Sequence, residues 1–260
     1  MAIKRREFLG HMAVGSAVLT MPAFLQGCGV QSATAVSQAT PENPFMTWFG
    51  VDQATAARVM SELTARGADA SDLYFQHTRS NSLRLEDGIV SSASSGIQQG
   101  VGLRVVIGEQ TGYAFTEDLT MPSMLAAART ASAIASGSAV AAPQAFNPQG
   151  TGDLYTTTVP WSDVGIDQKL PVLKFVEEKA KAMDPAIDKV AVYWSDADER
   201  VMIATLDGKL VTDPRPMTRL TVVVTAKRDG EVQTGYSNIA AREEFDWYSE
   251  ERILTMVREA

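Results

Sequence analysis

Apolar positions along this chain alternate between a helical period and a strand period, and the switches mark its elements. Ala56, Val59, Met60 and Leu63 recur at helical spacing, with Asp52 as a candidate N-cap and Gly67 as a stop, so the pattern predicts a helix over 53–66. Short β-rich runs follow at Leu73–Thr78, Ser82–Glu86, Ile89–Ser92, Val101–Ile107 and Gly112–Thr116. Asp87-Gly88 between two of them signals a hairpin, because both residue types tolerate positive φ. Gly108-Glu109 turns the next pair. Thr120 can cap a second helix with Met121, Met124, Leu125 and Ala128 on one face, Pro122 being tolerated in its first turn.

The interval 137–160 is rich in Gly, Ser, Ala, Pro, Asn and Gln, carries one charge (Asp153), and reads as a linker. Beyond it the same order returns. Ile166, Leu170, Leu173, Val176, Ala180 and Met183 have helical spacing until Asp184-Pro185. Strand-like runs follow at Val190–Ser195, Val201–Leu206, Leu210–Thr212, Leu220–Ala226 and Val232–Tyr236. Ser249 then caps Ile253, Leu254 and Val257, with Glu250 and Glu251 suited to the positive end of a helix dipole.

The halves match in detail. Tyr74-Phe75 corresponds to Tyr193-Trp194, Asp87-Gly88 to Asp207-Gly208, Leu103-Arg104-Val105-Val106 to Leu220-Thr221-Val222-Val223, and Thr111-Gly112-Tyr113 to Thr234-Gly235-Tyr236. The Tyr-to-Asp intervals are 13 and 14 residues, and the Asp-to-Thr intervals 24 and 27. Four matches in one order predict an α+β fold of duplicated helix–antiparallel β-meander–helix modules, over 51–136 and 161–260.

Ahead of the modules the pattern is different. Lys4, Arg5 and Arg6 stand against one Glu7, and no Asp, Glu, Lys or Arg occurs from Phe8 to Pro41. A basic start before a short apolar stretch, Met12 to Leu25, is the pattern of a secretory signal. Lys4-Arg5-Arg6-Glu7-Phe8-Leu9 resembles a twin-arginine export signal, with Arg5 and Arg6 as its pair. Leu25-Gln26-Gly27-Cys28 resembles a lipobox, which makes Cys28 the expected lipid attachment point. Residues 1–27 are thus expected to be the signal and 28–50 a flexible tether.

Composition narrows the function. With 260 residues, 45% hydrophobic and 21% charged, the chain is ordinarily globular. Its net charge of −8, or −10 once three basic and one acidic leader residues are removed, argues against a nucleic-acid partner. One cysteine, Cys28, excludes an intramolecular disulfide framework, and two histidines, His11 and His77, leave little for a metal centre. No Gly-x-x-x-x-Gly-Lys-Ser/Thr, Gly-x-Ser-x-Gly or His-Glu-x-x-His occurs. Gly100-Val101-Gly102 precedes a strand-like run without a fingerprint helix, so it marks a bulge or a close backbone approach rather than cofactor binding. Asp196, Asp198 and Glu199 are expected at a solvated hairpin tip and His77 half-exposed on a strand. No catalytic residue and no metal ligand is assigned in this chain.

Asp72-Leu73-Tyr74-Phe75-Gln76-His77-Thr78, Leu85-Glu86-Asp87-Gly88-Ile89-Val90, Gln99-Gly100-Val101-Gly102-Leu103-Arg104 and Thr111-Gly112-Tyr113-Ala114-Phe115 together resemble the N-terminal domain of the TldD/PmbA family, on its TldD side. The resemblance implies a zinc metallopeptidase acting on unfolded or flexible peptides. Its metal is held by a helical His-Glu-x-x-x-His motif in a following region, with a distant cysteine. None of those residues occurs here, and the helix after Ser249 has no stop signal, so a chain truncated ahead of its active site is expected. The resemblance further implies a homo- or hetero-oligomer with a TldD/PmbA-type subunit. With the leader, it places an exported, lipid-anchored protein at the bacterial cell envelope; without the leader, a cytoplasmic one. The alternative expectation is a metal-free peptide-binding or regulatory partner subunit tethered at the envelope.

Overall fold

The computed structural model describes residues 43–135, 141–151, 155 and 157–260. The expected signal, with Arg5, Arg6 and Cys28, and the first part of the tether lie outside the described residues. Within the stretch read as tether, residues 44–49 are helical. Asn43 caps α1 (Pro44–Phe49) by accepting from the backbone N–H of Phe45 and Met46, Pro44 opens its first turn, and Gly50 closes it at φ 66°. The short helix carries Phe45 into the core.

After α2 (Gln53–Leu63), capped by Asp52, the chain builds β1 (Ala70–Glu86), β2 (Ile89–Ile107) and β3 (Gln110–Thr116), then α3 (Met121–Ile134). A three-residue strand, β4 (Asn147–Gln149), follows, then α4 (Ile166–Lys181), β5 (Ile187–Thr205), β6 (Lys209–Arg228), β7 (Glu231–Ala241) and α5 (Glu250–Glu259). The sheet order is β3-β2-β1-β5-β6-β4, with β7 also on β6. All pairings are antiparallel except β4 on β6.

The strands are longer than the alternation predicts. Ser82–Glu86 continues Leu73–Thr78 in one strand, because the polar Arg79, Ser80 and Asn81 between them pair on both sides, with Ile97, Gly96 and Ser95 of β2 and Asp198, Ala197 and Asp196 of β5. The serine-rich segment after Val90 is likewise strand, bonded to β1, with one bulge at Ser91 opposite the Arg84–Leu85 step. Neighbouring strands, rather than apolar alternation, hold these segments extended.

The duplication is realised about a local two-fold axis. β1 and β5 pair so that Arg79 lies opposite Asp198, and these residues are equivalent when Tyr74 is aligned with Tyr193. The turns repeat as well: Gly88 between β1 and β2 and Gly208 between β5 and β6 have φ of 80° and 86°, and Gly108 and Gly230 in the next turn of each half have 55° and 86°. A Cβ on Gly112 would overlap the Ala131 carbonyl of α3, and one on Gly235 the Ala260 carbonyl at the end of α5. The repeated glycine therefore lets the closing helix of each half lie against its outer strand.

Both cores lie on one face of the sheet. Leu73, Phe75, Leu83 and Leu85 share a face of β1 at period two. The first pair joins α1, α2 and α3 in one core, which also takes Met202 and Ala204 from β5; the second pair joins α4 and α5 in the other. In the first core Phe45 meets Phe75 at 5.8 Å between centroids, and in the second Trp161 meets Trp194 at 5.7 Å. The connection read as a linker is fastened to both halves, by Ala141 N–H to the Ala68 carbonyl of the first and by Gln144 N–H and Asn147 N–H to the Leu206 and Gly208 carbonyls of the second.

Candidate functional site

Among the described residues no helix covers the other face of the sheet. Period two sends Asp72, Tyr74, Gln76 and Thr78 of β1 to that face, beside Gly100, Gly102 and Arg104 of β2 and Glu199 of β5. The surface is concave over β1, β2 and β3 and borders an open hollow of about 1120 Å³. Its floor is low where glycine replaces a side chain. A Cβ on Gly100 would come within 2.8 Å of the Thr116 carbonyl, and one on Gly102 within 3.0 Å of the Tyr113 hydroxyl. The Gly-Val-Gly segment is thus a close approach in a regular strand, and no bulge interrupts it. Tyr113 and Phe115 on β3 form an aromatic wall, 57% and 68% exposed.

Three carboxylates on this face are paired with two arginines. Arg104 donates through Nε and Nη2 to Asp72 Oδ2 at 2.7 and 2.6 Å. Arg215 of β6 donates to Asp213 at 2.7 Å and to the Tyr74 hydroxyl at 3.3 Å, and lies 3.6 Å from Glu199. The Asp213 hydrogen bond, aided by the field of Tyr74 and Glu199, holds the guanidinium proton more tightly than usual. Gln76 and Thr78 donate to Glu199 at 3.0 and 3.4 Å. Such a surface offers aromatic contact and fixed polar groups to a ligand.

The sequence-level candidates lie elsewhere. His77 points into the helix-bearing face, 8% exposed, its ring packed at a tilt against Trp48 and Phe49 with centroids 4.7 and 5.9 Å away. The expected half-exposed strand residue is buried because α1 covers it. Burial, reinforced by the positive charge of Arg79, lowers its pKa. The expected solvated tip at Asp196, Asp198 and Glu199 is also overturned: all three lie inside β5. Glu199 faces the concave surface, Asp198 accepts from the Ser162 N–H at 2.5 Å, and Asp196 is buried. Among the described residues no three His, Cys, Asp or Glu side chains are grouped to hold a metal ion.

Asp196 stands where the first half has His77, three residues after the aligned tyrosine. Its carboxylate meets Lys169 Nζ of α4 at 2.6 Å, with side chains 0% and 3% exposed. It also accepts from Trp194 Nε1 at 2.7 Å and Asn81 Nδ2 at 2.8 Å. Beside it, Tyr248 shares a 2.8 Å hydrogen bond with Thr218, and burial pushes its phenol pKa up. Sequence reasoning missed this network. Its one local signal was a lysine inside an otherwise apolar helical stripe.

Residues 71–135 match the model of PmbA/TldA metallopeptidase domain 1, and residues 159–260 match that of the PmbA/TldA metallopeptidase central domain. The chain is 31% identical over 211 residues to the metalloprotease TldD homolog of Haemophilus influenzae, covering 80% of this chain and 44% of that protein. Against the homolog of Buchnera aphidicola subsp. Acyrthosiphon pisum it is 24% identical, over 73% of this chain and 39% of the relative. It therefore spans less than half the length of these relatives. A Thermotoga maritima structure described as a modulator of a DNA gyrase superposes with a TM-score of 0.61 at 20% identity, over 80% of this chain and 47% of that one. TldE from Thermococcus kodakarensis superposes with a TM-score of 0.55 at 15% identity, over 78% and 46%. These two likenesses speak to the fold. With two domains of one family matched in order over more than half of its length, the chain belongs to the TldD/PmbA family of metallopeptidases.

Proposed function

We propose that this chain is the non-catalytic, substrate-guiding front portion of a TldD-like zinc metallopeptidase that hydrolyses unfolded or flexible peptides. The observation that carries the reading is the concave, helix-free face, with its glycine floor and the aromatic wall of Tyr113 and Phe115. An extended peptide can lie close to such a floor and press apolar side chains on such a wall. The described residues do not fit a zinc site, since His77 is enclosed by Trp48 and Phe49 and no ligand group accompanies it. No catalytic step is assigned to them. Export by the twin-arginine route through Arg5 and Arg6, and lipid anchoring at Cys28 in the cell envelope, complete the proposal on sequence grounds.

Binding of a fluorescent, unstructured peptide tests the guiding role. Phe115→Ser with Tyr113→Ser is expected to weaken it about tenfold or more, two lost aromatic contacts of roughly 0.5–1.5 kcal/mol each together with lost apolar burial. Unchanged affinity would remove the concave face from the function. Zinc content and peptide hydrolysis of the product of the whole coding sequence separate the peptidase from a metal-free partner subunit. Substituting Arg5→Lys and Arg6→Lys is expected to stop export, and Cys28→Ser to stop lipid labelling; normal export and labelling would refute the address.

A further inference from the structure

The duplication lets the outer strand of each half be compared position by position. Phe75 of β1 pairs with Val101, and its equivalent Trp194 of β5 pairs with Leu220. Val101 therefore matches Leu220, Ile97 matches Pro216 and Ser95 matches Pro214. In the second half the lane outside β6 is filled at both ends, by β7 from Thr218 onward and by β4 along Lys209–Val211. Pro214 and Pro216 close the gap between them to any further strand, because neither has a backbone donor. In the first half β3 fills the lane only from Val101 onward. Among the described residues no strand pairs with the outer edge of β2 from Ile89 to Gly100, and that stretch carries no proline and no charge. The Val106 carbonyl accepts from the Asp69 N–H on the β1 side. Alternation from there turns the backbone groups of Ala93, Ser95, Ile97 and Gln99 away from β1, into the lane.

We infer that this lane takes an extended peptide as an added strand, bonded through its main chain to β2 between Ala93 and Gln99. Its alternate side chains enter the concave face in line with Phe115. The inference rests on the peptide-guiding reading and deepens it, by naming what is recognised: a run of free alternate amides in extended form, whatever side chains accompany it. Three observations select this occupant. The first is β4, a segment of only three extended residues that already sits in the matching lane of the second half. The second is continuity. Gln98, Gln99 and Gly100 border the hollow, and β3 ends beside them at Thr116, so a peptide continues the lane from the aromatic wall. The third is room. Ser80, Ser82, Ser94 and Gly96 are small and leave an open hollow of about 380 Å³ beside the lane, where the ligand's own side chains fit. A second copy of β2 fits poorly, because the bulge at Ser91 sends Ile89, opposite Glu86, and Ile97, opposite Arg79, to opposite faces of the sheet.

Fluorescence anisotropy of the full-length chain with a labelled Lys-Thr-Val-Thr-Val-Thr-Val-Lys peptide tests the lane. Ser95→Pro with Ile97→Pro copies Pro214 and Pro216 onto β2, removing two outward donors and no bond to β1. It is expected to weaken binding about tenfold or more with an unchanged melting temperature. N-methylation of the three threonine amides, and separately of the three valine amides, is expected to weaken one peptide about tenfold and the other less than about twofold. Only alternate amides of an added strand face its neighbour. These peptides need no variant, so they decide the matter even where the double proline unfolds the chain. Phe115→Ser with Tyr113→Ser separates the two readings. Loss of binding there, with the proline variant binding as the parent does, keeps the guiding face and overturns the lane; a parent that binds no peptide removes both. Equal effects of the two methylation patterns, binding seen only after residues 29–42 are deleted, or a dimer of the parent that the proline variant dissolves would each overturn the inference.

Discussion

Removing one member of the Lys169–Asp196 pair is the perturbation with the largest expected effect on stability. The contact is 2.6 Å between side chains that are 3% and 0% exposed. Neither charge can recover hydration when its partner goes. Breaking such a pair by a single substitution costs about 3–5 kcal/mol. Lys169→Met leaves a buried carboxylate that keeps two neutral donors, Trp194 and Asn81, and belongs near the lower end of that range. Asp196→Asn leaves a buried ammonium whose partner is now a neutral amide, and belongs near the upper end. The double variant Lys169→Met, Asp196→Asn removes both charges while the Asn oxygen still accepts from Trp194, and should lie within about 1–2 kcal/mol of the parent. The coupling energy of the cycle is then about 2 kcal/mol or more. Urea unfolding followed by tryptophan fluorescence gives each ΔG by linear extrapolation. Because the pair is shielded from solvent, 0.5 M salt (~4 Å screening length) should leave the differences nearly unchanged. Single variants within about 1 kcal/mol of the parent, or a double variant as unstable as the sum of the singles, would refute the account.

Other outcomes follow from the same geometry. His77 has a lowered folded-state pKa because burial and Arg79 disfavour the imidazolium, so its stabilising contribution is present above the unfolded value of 6.5 and is lost as pH falls through the lower folded value. Thermal melts should fall across that interval in the parent and stay flatter in His77→Phe; equal slopes would exclude His77 as the cause. Gly112→Ala drives a methyl group into the Ala131 carbonyl and should cost about 1–3 kcal/mol, whereas Gly96→Ala, whose nearest neighbour is Ser80 Oγ at 3.7 Å, should melt as the parent does. Pro214→Thr with Pro216→Thr restores two edge donors and is expected to add concentration-dependent association visible by light scattering.

The duplication was readable because its markers are backbone requirements. Asp87-Gly88 needs positive φ in a tight hairpin, and Gly112 and Gly235 need room beneath a helix; few other residues satisfy either, so the signal survives in a single sequence. Strand length was not readable, because Arg79–Asn81 and Ser91–Gly100 are held by their neighbours and carry no apolar alternation of their own. The same reason hid Asp196. A carboxylate between Ser195 and Ala197 reads as exposed, and the ammonium that permits its burial sits 27 residues earlier on α4. The concave face was hidden in a different way: Tyr113 and Phe115 look like core residues until the sheet shows which of its faces the helices cover.

The sharing of β1 and β5 between the two cores also sets a timetable. β1 begins at Ala70 and its central partner β5 at Ile187, so well over a hundred residues separate their emergence from the ribosome. At about 5–20 residues per second that is roughly 6–23 seconds. During that time the first half lacks Met202 and Ala204 beneath its helices, and the inner border of its longest hairpin stands open from Asp72 to Glu86 of β1. The nascent chain is then a hairpin in search of a mate. Whatever shields it during synthesis must let go only when the last third of the chain has arrived.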